Sequence, residues 1–392
     1  MKILFIAPRY HTNQLPIVRE LLRRGIDVDY AVHYRGSTED YRDLTPILLK
    51  KSFFLHCKIF LNRIAKKHHN EEYYGMHHNA SFINIIHVIR KSKPDLIVLR
   101  GKAKTERKAC IASFFCGVPA VLYNQEPLYK PEIKSKAKRF LKKIYNWFVP
   151  NTRYTPVKVS DYNALKKIDT LNIPPHTYFV PFAGEMIEEA KGRTYLANNR
   201  INFLMVGKYR EYKNHKVLID ALDMLEKRSG YILTLVGQCN DEKEKNYFEN
   251  LKKYIESKRL TPQIRFVTNV EPDQMKDYYL NNDVLILPTK HEAASISVLE
   301  AMHHGMSVIS TSRNGTASYI DYGKTGYIFT TCDAQDLKEK LMMYIKNPES
   351  VEKMGRYALT RAQSDYSQEA YFSSFVNMLE KEFPKVFEKL NL

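Results

Sequence analysis

One stretch of the chain constrains the fold more than any other. Asp283-Val284-Leu285-Ile286-Leu287-Pro288 is a short apolar run stopped by proline, and Ser295 to His304 follow with helical character up to Gly305. An unbroken run of leucine, isoleucine and valine between breakers reads as a strand buried on both faces. The pattern is strand, short loop, helix, the repeating unit of an α/β sheet. The start of such a helix aims free N–H groups and the positive end of a dipole at the loop before it. Glu292 lies in that loop and Glu300 inside the helix, with seven residues between them. Two carboxylates so placed can accept hydrogen bonds from two separate hydroxyl groups. The amides of Ala294, Ser295 and Ile296 between them can hold a phosphate. Taken alone, the same two glutamates also describe an ordinary surface helix.

The same alternation runs through the second half. Ile201 to Val206 read as a strand, then Gly207-Lys208-Tyr209-Arg210-Glu211-Tyr212-Lys213-Asn214-His215 as a glycine turn, then a helix to about Leu225. A glycine turn with Lys208 and Lys213 just ahead of a helix combines amides, dipole and point charges into an anion cradle. Strands follow at Ile232 to Val236 and Ile264 to Val267, the latter ending in Thr268-Asn269. After the helix that carries Glu300 comes a strand from Ser307 to Thr311. Helices fill the chain from Ala334 on, the last from about Gln368 to Leu390.

The first half opens the same way: a strand over residues 2–7, a polar loop from Pro8 to Asn13, a helix from Gln14 to Arg24 closed by Gly25, and a strand from Asp27 to His33. No G-x-G-x-x-G follows the first strand, which weakens a dinucleotide-binding reading. Two further strands, Asp95 to Leu99 and Val118 to Tyr123, end in Arg100-Gly101 and Asn124-Gln125-Glu126. Polar groups at the carboxyl ends of parallel strands are where α/β sheets bind ligands. Arg100, Gln125 and Glu126 are therefore candidates, with loop-end capping as the other reading.

Composition bounds the rest. A chain of 392 residues is long enough for two domains. The net charge of +18 is lopsided: residues 1–190 carry 32 Lys/Arg against 17 Asp/Glu. Such a field points to an anionic partner: nucleic acid, an anionic membrane face or a phosphorylated substrate. Two basic and aromatic stretches, Thr45 to Lys67 and Lys130 to Val149, have helical spacing. Each reads either as a helix lying on an anionic membrane or as a core helix with a solvated lysine face. No apolar run approaches the ~20 residues of a membrane span, and Met1 to Arg9 read as a strand and not as a signal peptide. Five scattered cysteines without a C-x-x-C pair point to reduced thiols. The thirteen histidines show no ligand spacing, so no metal centre is expected.

Glu292 and Glu300, with the basic turn ahead of them, resemble the E-x7-E and G-R-x-x-x-x-K elements of retaining GT-B glycosyltransferases, glycosyltransferase family 4. The resemblance is good over residues 201–330 and rests chiefly on element order over residues 1–190. It implies an α/β protein with two Rossmann-like domains facing across a cleft: residues 1–185 on the acceptor side, a linker at 186–200, and a nucleotide-sugar domain at 201–365, with the helix at 368–390 packing back on the first domain. It implies a retaining, metal-independent transfer from a nucleotide-diphosphate sugar, UDP before GDP, with no cofactor. Glu292 would contact the sugar, Glu300 the ribose, and Lys208 and Lys213 the diphosphate. Gly207, Ala294, Ser295 and Ile296 would surround the donor, with Asn314 and Gly315 at a tight turn beside it, Thr268 and Asn269 by the base, and a strand from Gly323 to Phe329. His11, Thr12 and Asn13, or else a plain turn, would form the first loop, which reaches the cleft. Lys208 stands where arginine is usual, Ser295 where glycine is frequent, and Asn124-Gln125 where a histidine is common. The implied acceptor is lipid-linked or a polysaccharide of the bacterial surface, such as lipopolysaccharide, capsule or exopolysaccharide. The implied location is cytoplasmic and peripheral on the anionic inner membrane face, with no nucleic-acid partner. A sugar-nucleotide epimerase, a non-catalytic nucleotide-sugar sensor and a nucleic-acid-binding protein are the alternatives.

Overall fold

The computed structural model describes residues 1–36, 40–65, 80–100, 104–125, 148–226 and 229–390. The chain divides into two compact units: Met1–Pro156 with Asn172–Ala183 and Gln368–Leu392, and Val157–Leu171 with Gly184–Ser367. Each is a parallel sheet of Rossmann-like type.

The first unit begins with β1 (Lys2–Ala7), α1 (Leu15–Arg23), β2 (Asp27–Val32) and β3 (Ile47–Leu48). It continues with α2 (Phe53–Ile64), α3 (Phe82–Ser92), β4 (Leu96–Arg100), α4 (Lys104–Cys116), β5 (Ala120–Tyr123) and β6 (Arg153–Thr155). A short α5 (Tyr162–Leu165), within the second unit, precedes β7 (Thr177–Phe179). The strand order is β3-β2-β1-β4-β5-β6-β7, every pair parallel. Strands β1 and β4 are buried on both faces, as continuous apolar runs in a doubly covered parallel sheet require.

The stretch from Thr45 to Lys67 is not one helix. Ile47 and Leu48 take the free edge of β2 opposite Ala31 and Val32, and the helix starts only after Ser52; pairing along a sheet edge overrode the helical period. The expected helix from Lys130 to Val149 lies largely outside the described residues, as does Glu126. Helices α3 and α4 are additions that the sequence reading leaves unassigned.

The second unit contains β8 (Ile201–Val206), α6 (His215–Asp223), β9 (Tyr231–Gly237), α7 (Glu242–Ser257), β10 (Ile264–Thr268) and α8 (Met275–Leu280). Then come β11 (Val284–Leu287), α9 (Ile296–His303), β12 (Ser307–Thr311), β13 (Gly326–Phe329), α10 (Ala334–Lys346) and α11 (Glu349–Asp365). The order is β10-β9-β8-β11-β12-β13, all parallel. Strand β13 starts at Gly326 and not at Gly323, because Asp321 to Thr325 form a turn closed by Thr325 N–H on the Asp321 carbonyl at 2.9 Å.

Residues 186–200 are not a free linker. They fall inside the second unit, where Arg193 is buried and donates to the carbonyl of His304 at 2.6 Å, and Tyr195 donates to that of Gly305 at 2.7 Å. The guanidinium and the tyrosine hydroxyl thus satisfy carbonyls left open at the end of α9. Residues 157–171 also fall in the second unit.

The chain ends with α12 (Gln368–Glu382) and α13 (Pro384–Phe387), both in the first unit. Pro384 splits what the sequence reads as one helix. Phe372, Phe375, Met378 and Leu379 join the core of β1 and β2. Glu382 accepts from Tyr178 at 2.6 Å, Thr152 at 3.1 Å and His176 at 2.9 Å.

Candidate functional site

In a doubly wound sheet the strand order reverses at one point, and a crevice opens at the carboxyl ends of the two strands there. In the second unit those strands are β8 and β11. The loop after β8 carries Lys208 and Lys213; the loop after β11 carries Glu292. The backbone ties the two loops together. Tyr212's carbonyl accepts from the Lys290 N–H at 2.9 Å and the Thr289 hydroxyl at 3.1 Å, and Lys290 pairs with Glu211 at 2.7 Å. On its other side Glu292 is bonded to the loop after β12: its N–H donates to Arg313's carbonyl at 3.0 Å, and its carbonyl accepts from Gly315 at 3.1 Å.

This places Lys213 on Glu292. The ammonium lies 2.8 Å from one carboxylate oxygen and 3.0 Å from the other, and the pair is largely shielded, with side chains 10% and 22% exposed. The lysine closes a short turn, Glu211–Lys213, that Asn214 ends in the left-handed conformation at φ 58°. Its stem lies over Gly207, where a Cβ would meet the Lys213 Cδ and Cε at 3.2 Å. Gly315 is tighter: a Cβ there would stand 2.0 Å from Ala293's carbonyl oxygen. The glycines therefore admit the close approach that brings the cation and the carboxylate together.

The remaining expected residues divide by position. Ser295 caps α9 by backbone alone, with no side-chain cap, so the N–H groups of the first turn face outward unclaimed by a cap. Ser295's own N–H donates to Asn314 Oδ1 at 3.4 Å. Asn314 also accepts from the Thr316 N–H at 3.3 Å and hydroxyl at 3.0 Å, so it builds the loop. Glu300 accepts from the Tyr279 hydroxyl at 2.7 Å. Burial raises the Glu300 carboxyl above its usual range, with Tyr279 acting against the rise. Asn269, at φ 55°, spends its side-chain oxygen on the Cys239 N–H at 2.8 Å, beside exposed Thr268.

Lys208 does not join the pair in the described contacts. It is about half exposed and lies 4.0 Å from Glu244. Glu244 itself is held by Arg210 at 3.0 Å and by the Asn240 N–H at 2.9 Å. Two residues escape the sequence reading. Tyr279 is 21 positions from Glu300, and no local pattern connects them. Arg210 sits between the two lysines in the basic turn, which is the one signal that could have singled it out.

In the first unit the reversal lies between β1 and β4. His11, Thr12 and Asn13 follow β1, and Arg100 ends β4. His11 accepts from the Asn13 N–H at 3.3 Å. Burial, then the charges of Arg100 and Arg9, push the His11 imidazole down to about 3, so it is neutral at neutral pH. Arg100 stands over the Tyr123 ring at 5.6 Å, and Gln125 lies just past β5.

The chain superposes on a glycosyltransferase of Rickettsia africae ESF-5 with a TM-score of 0.72 at 16% identity, covering 99% of this chain and 98% of that one. It superposes on Alr3699/HepE of Anabaena, solved in complex with UDP, with a TM-score of 0.68 at 16% identity, covering 97% and 100%. The fold is that of the GT-B glycosyltransferases. Residues 186–361, the greater part of the second unit, match the family described as Glycosyl transferases group 1. D-inositol 3-phosphate glycosyltransferase of Paenarthrobacter aurescens is 25% identical over 53% of this chain and 50% of its own length. The chain spans about half the length or less of the first curated relatives it matches.

Proposed function

We propose that the protein is a retaining glycosyltransferase of the family 4 type, which moves a sugar from a UDP-sugar to a lipid-linked or polysaccharide acceptor of the bacterial surface. The observation that carries this is the Lys213–Glu292 pair at the strand-order reversal, beside an uncapped helix start. Departure of the diphosphate builds negative charge on the phosphate and positive charge on the sugar ring. Lys213 and the first-turn amides of α9 stabilise the phosphate charge, with Lys208 further out. No divalent metal is required in this scheme. Glu292 turns to the sugar, and Glu300, fixed by Tyr279, takes the ribose. With no carboxylate among the described residues placed as nucleophile, the acceptor hydroxyl attacks from the face the phosphate leaves, and the phosphate oxygen takes its proton. Thr268 and Asn269 border the base, and the first unit receives the acceptor near His11, Asn13, Arg100 and Gln125. UDP in the Anabaena neighbour supports a donor of this kind. The basic first unit supports work at the anionic inner face of a membrane, in the cytoplasm. The test is transfer from a panel of nucleotide-sugars, with the product's anomeric configuration read by proton NMR. Retained configuration, undiminished rate in chelator, and loss of transfer in a folded Glu292→Ala variant are expected. Inverted product or full activity of that variant contradicts the reading.

A further inference from the structure

Helix α2 presents its apolar residues to the outside. Phe53, Phe54, Phe60, Leu61, Ile64 and, on α3, Ile83 are between 62% and 79% exposed, while Leu55 is buried on the other side. At the α-helical repeat, Phe60, Phe53, Ile64, Cys57, Leu61 and Phe54 fall in that order within an arc of about 120°. This is one continuous stripe and not a scatter of single residues. Ile83 extends it: Lys51 pairs with Ala80, and Ser81 donates to the Lys50 carbonyl at 2.9 Å, so the two helices start side by side. A water-facing stripe of this size marks a contact with something apolar.

Charge decides what that is. From Leu44 to Asn70 the sequence contains Lys50, Lys51, Lys58, Arg63, Lys66 and Lys67 and no Asp or Glu; from Ser81 to Pro94 it contains Arg90, Lys91 and Lys93 and again no acid. Lys50 and Lys58 are exposed at the rim of the stripe, and Arg90 and Lys91 are exposed on α3. Phenylalanines on one face with cations at the rim match an anionic bilayer, whose acyl boundary takes the rings and whose headgroups take the lysines.

We propose that the α2 stripe, extended by Ile83, is the surface by which the protein docks on anionic lipid. The helix lies flat, with Phe53, Phe54, Phe60, Leu61 and Ile64 at the headgroup–acyl boundary. This deepens the reading of a membrane-side acceptor given above and assigns the contact to one face of the first unit.

The experiment is co-sedimentation of the full chain with vesicles free of any acceptor, of about 70% phosphatidylcholine and about 30% phosphatidylglycerol. The wild type is expected to bind these and to bind pure phosphatidylcholine at least about tenfold more weakly. A Phe54→Ser/Phe60→Ser/Leu61→Ser variant is expected to lose about tenfold or more in binding at an unchanged melting temperature, because the three side chains touch mostly solvent. A Lys50→Glu/Lys58→Glu variant is expected to lose the preference for anionic vesicles. Wild-type protein that stays in the supernatant, or a triple-serine variant that sediments as well as the wild type, overturns the proposal. So does a wild type that elutes as a dimer where the triple-serine variant elutes as a monomer, since the stripe would then be covered by a second copy. UDP-sugar binding measured on the same samples separates the two readings. Retained donor binding without vesicle binding sinks this surface alone, and lost donor binding with vesicle binding sinks only the glycosyl-transfer reading.

Discussion

Replacing Glu292 by glutamine tests the electrostatics of the candidate donor site with little change of shape. In the free protein the Glu292 carboxylate neutralises the Lys213 ammonium at 2.8 Å and 3.0 Å. A diphosphate arriving at Lys213 is attracted by the lysine and repelled by the carboxylate beside it. Two unit charges ~7 Å apart at an effective dielectric of ~20 interact by about 2.4 kcal/mol. Screening and the partial exposure of Glu292 reduce this to about 1–2 kcal/mol. Glu292→Gln should therefore bind UDP, which has no sugar for Glu292 to hold, about five- to thirtyfold more tightly. The same variant should lose sugar transfer, since the amide cannot share the charge that grows on the ring. Isothermal titration of UDP into both proteins reads the first effect, and a transfer assay reads the second. UDP affinity equal to or below that of the wild type would show that Lys213 is not the diphosphate's partner, and the reasoning would fail.

Tyr279→Phe frees the Glu300 carboxylate that the hydroxyl holds at 2.7 Å. It should raise the donor KM several-fold with little change in kcat, and a 2′,3′-dideoxy donor should not feel the change; an equal loss with both donors would make the effect merely structural. Gly315→Ala places a methyl 2.0 Å from Ala293's carbonyl oxygen. Overpacking against backbone costs about 1–3 kcal/mol, so the second unit's melting temperature should drop by about 2–12 °C, read by calorimetry; an unchanged Tm would show that the loops are not in contact. Burial alone would raise the Glu382 carboxyl, but hydrogen bonds from Tyr178, His176 and Thr152 outweigh it and hold it below the ordinary 4.5. A depressed carboxyl adds stability above the unfolded value and loses it as pH falls through the folded one. Acid melts from pH ~5 to ~2 should therefore fall less steeply in Glu382→Gln than in the wild type; parallel curves would contradict the assignment.

How much of this was legible beforehand differs between the units. Strands β8, β11 and β12 are buried on both faces, so their apolar runs gave nearly the observed bounds. Helix α7 went unassigned although Asp241 and Glu244 form a capping box, which is a local signal open to reading. Residues Ile47 and Leu48 misled because a two-residue strand exists only through its partner, and nothing in their own neighbourhood encodes β2's free edge. The site was legible as residue types, not as contacts. The basic turn and the paired glutamates stand in the sequence. That Lys213 and not Lys208 reaches Glu292 follows from the Asn214 turn and the stitching of Tyr212 to Lys290, which are tertiary facts. Tyr279's bond to Glu300 likewise depends on how α8 packs beside α9. Sequence spacing left two destinies for the apolar side of α2, core or membrane; burial shows that it is not core.

The measurement that bears most directly on the central claim is a crystal structure with an intact UDP-sugar. The account predicts a β-phosphate oxygen within hydrogen-bond reach of the Lys213 ammonium, the Glu292 carboxylate turned from lysine to sugar hydroxyl, and the ribose on Glu300. A diphosphate bound elsewhere, with Lys213 and Glu292 still paired as in the free protein, would contradict it.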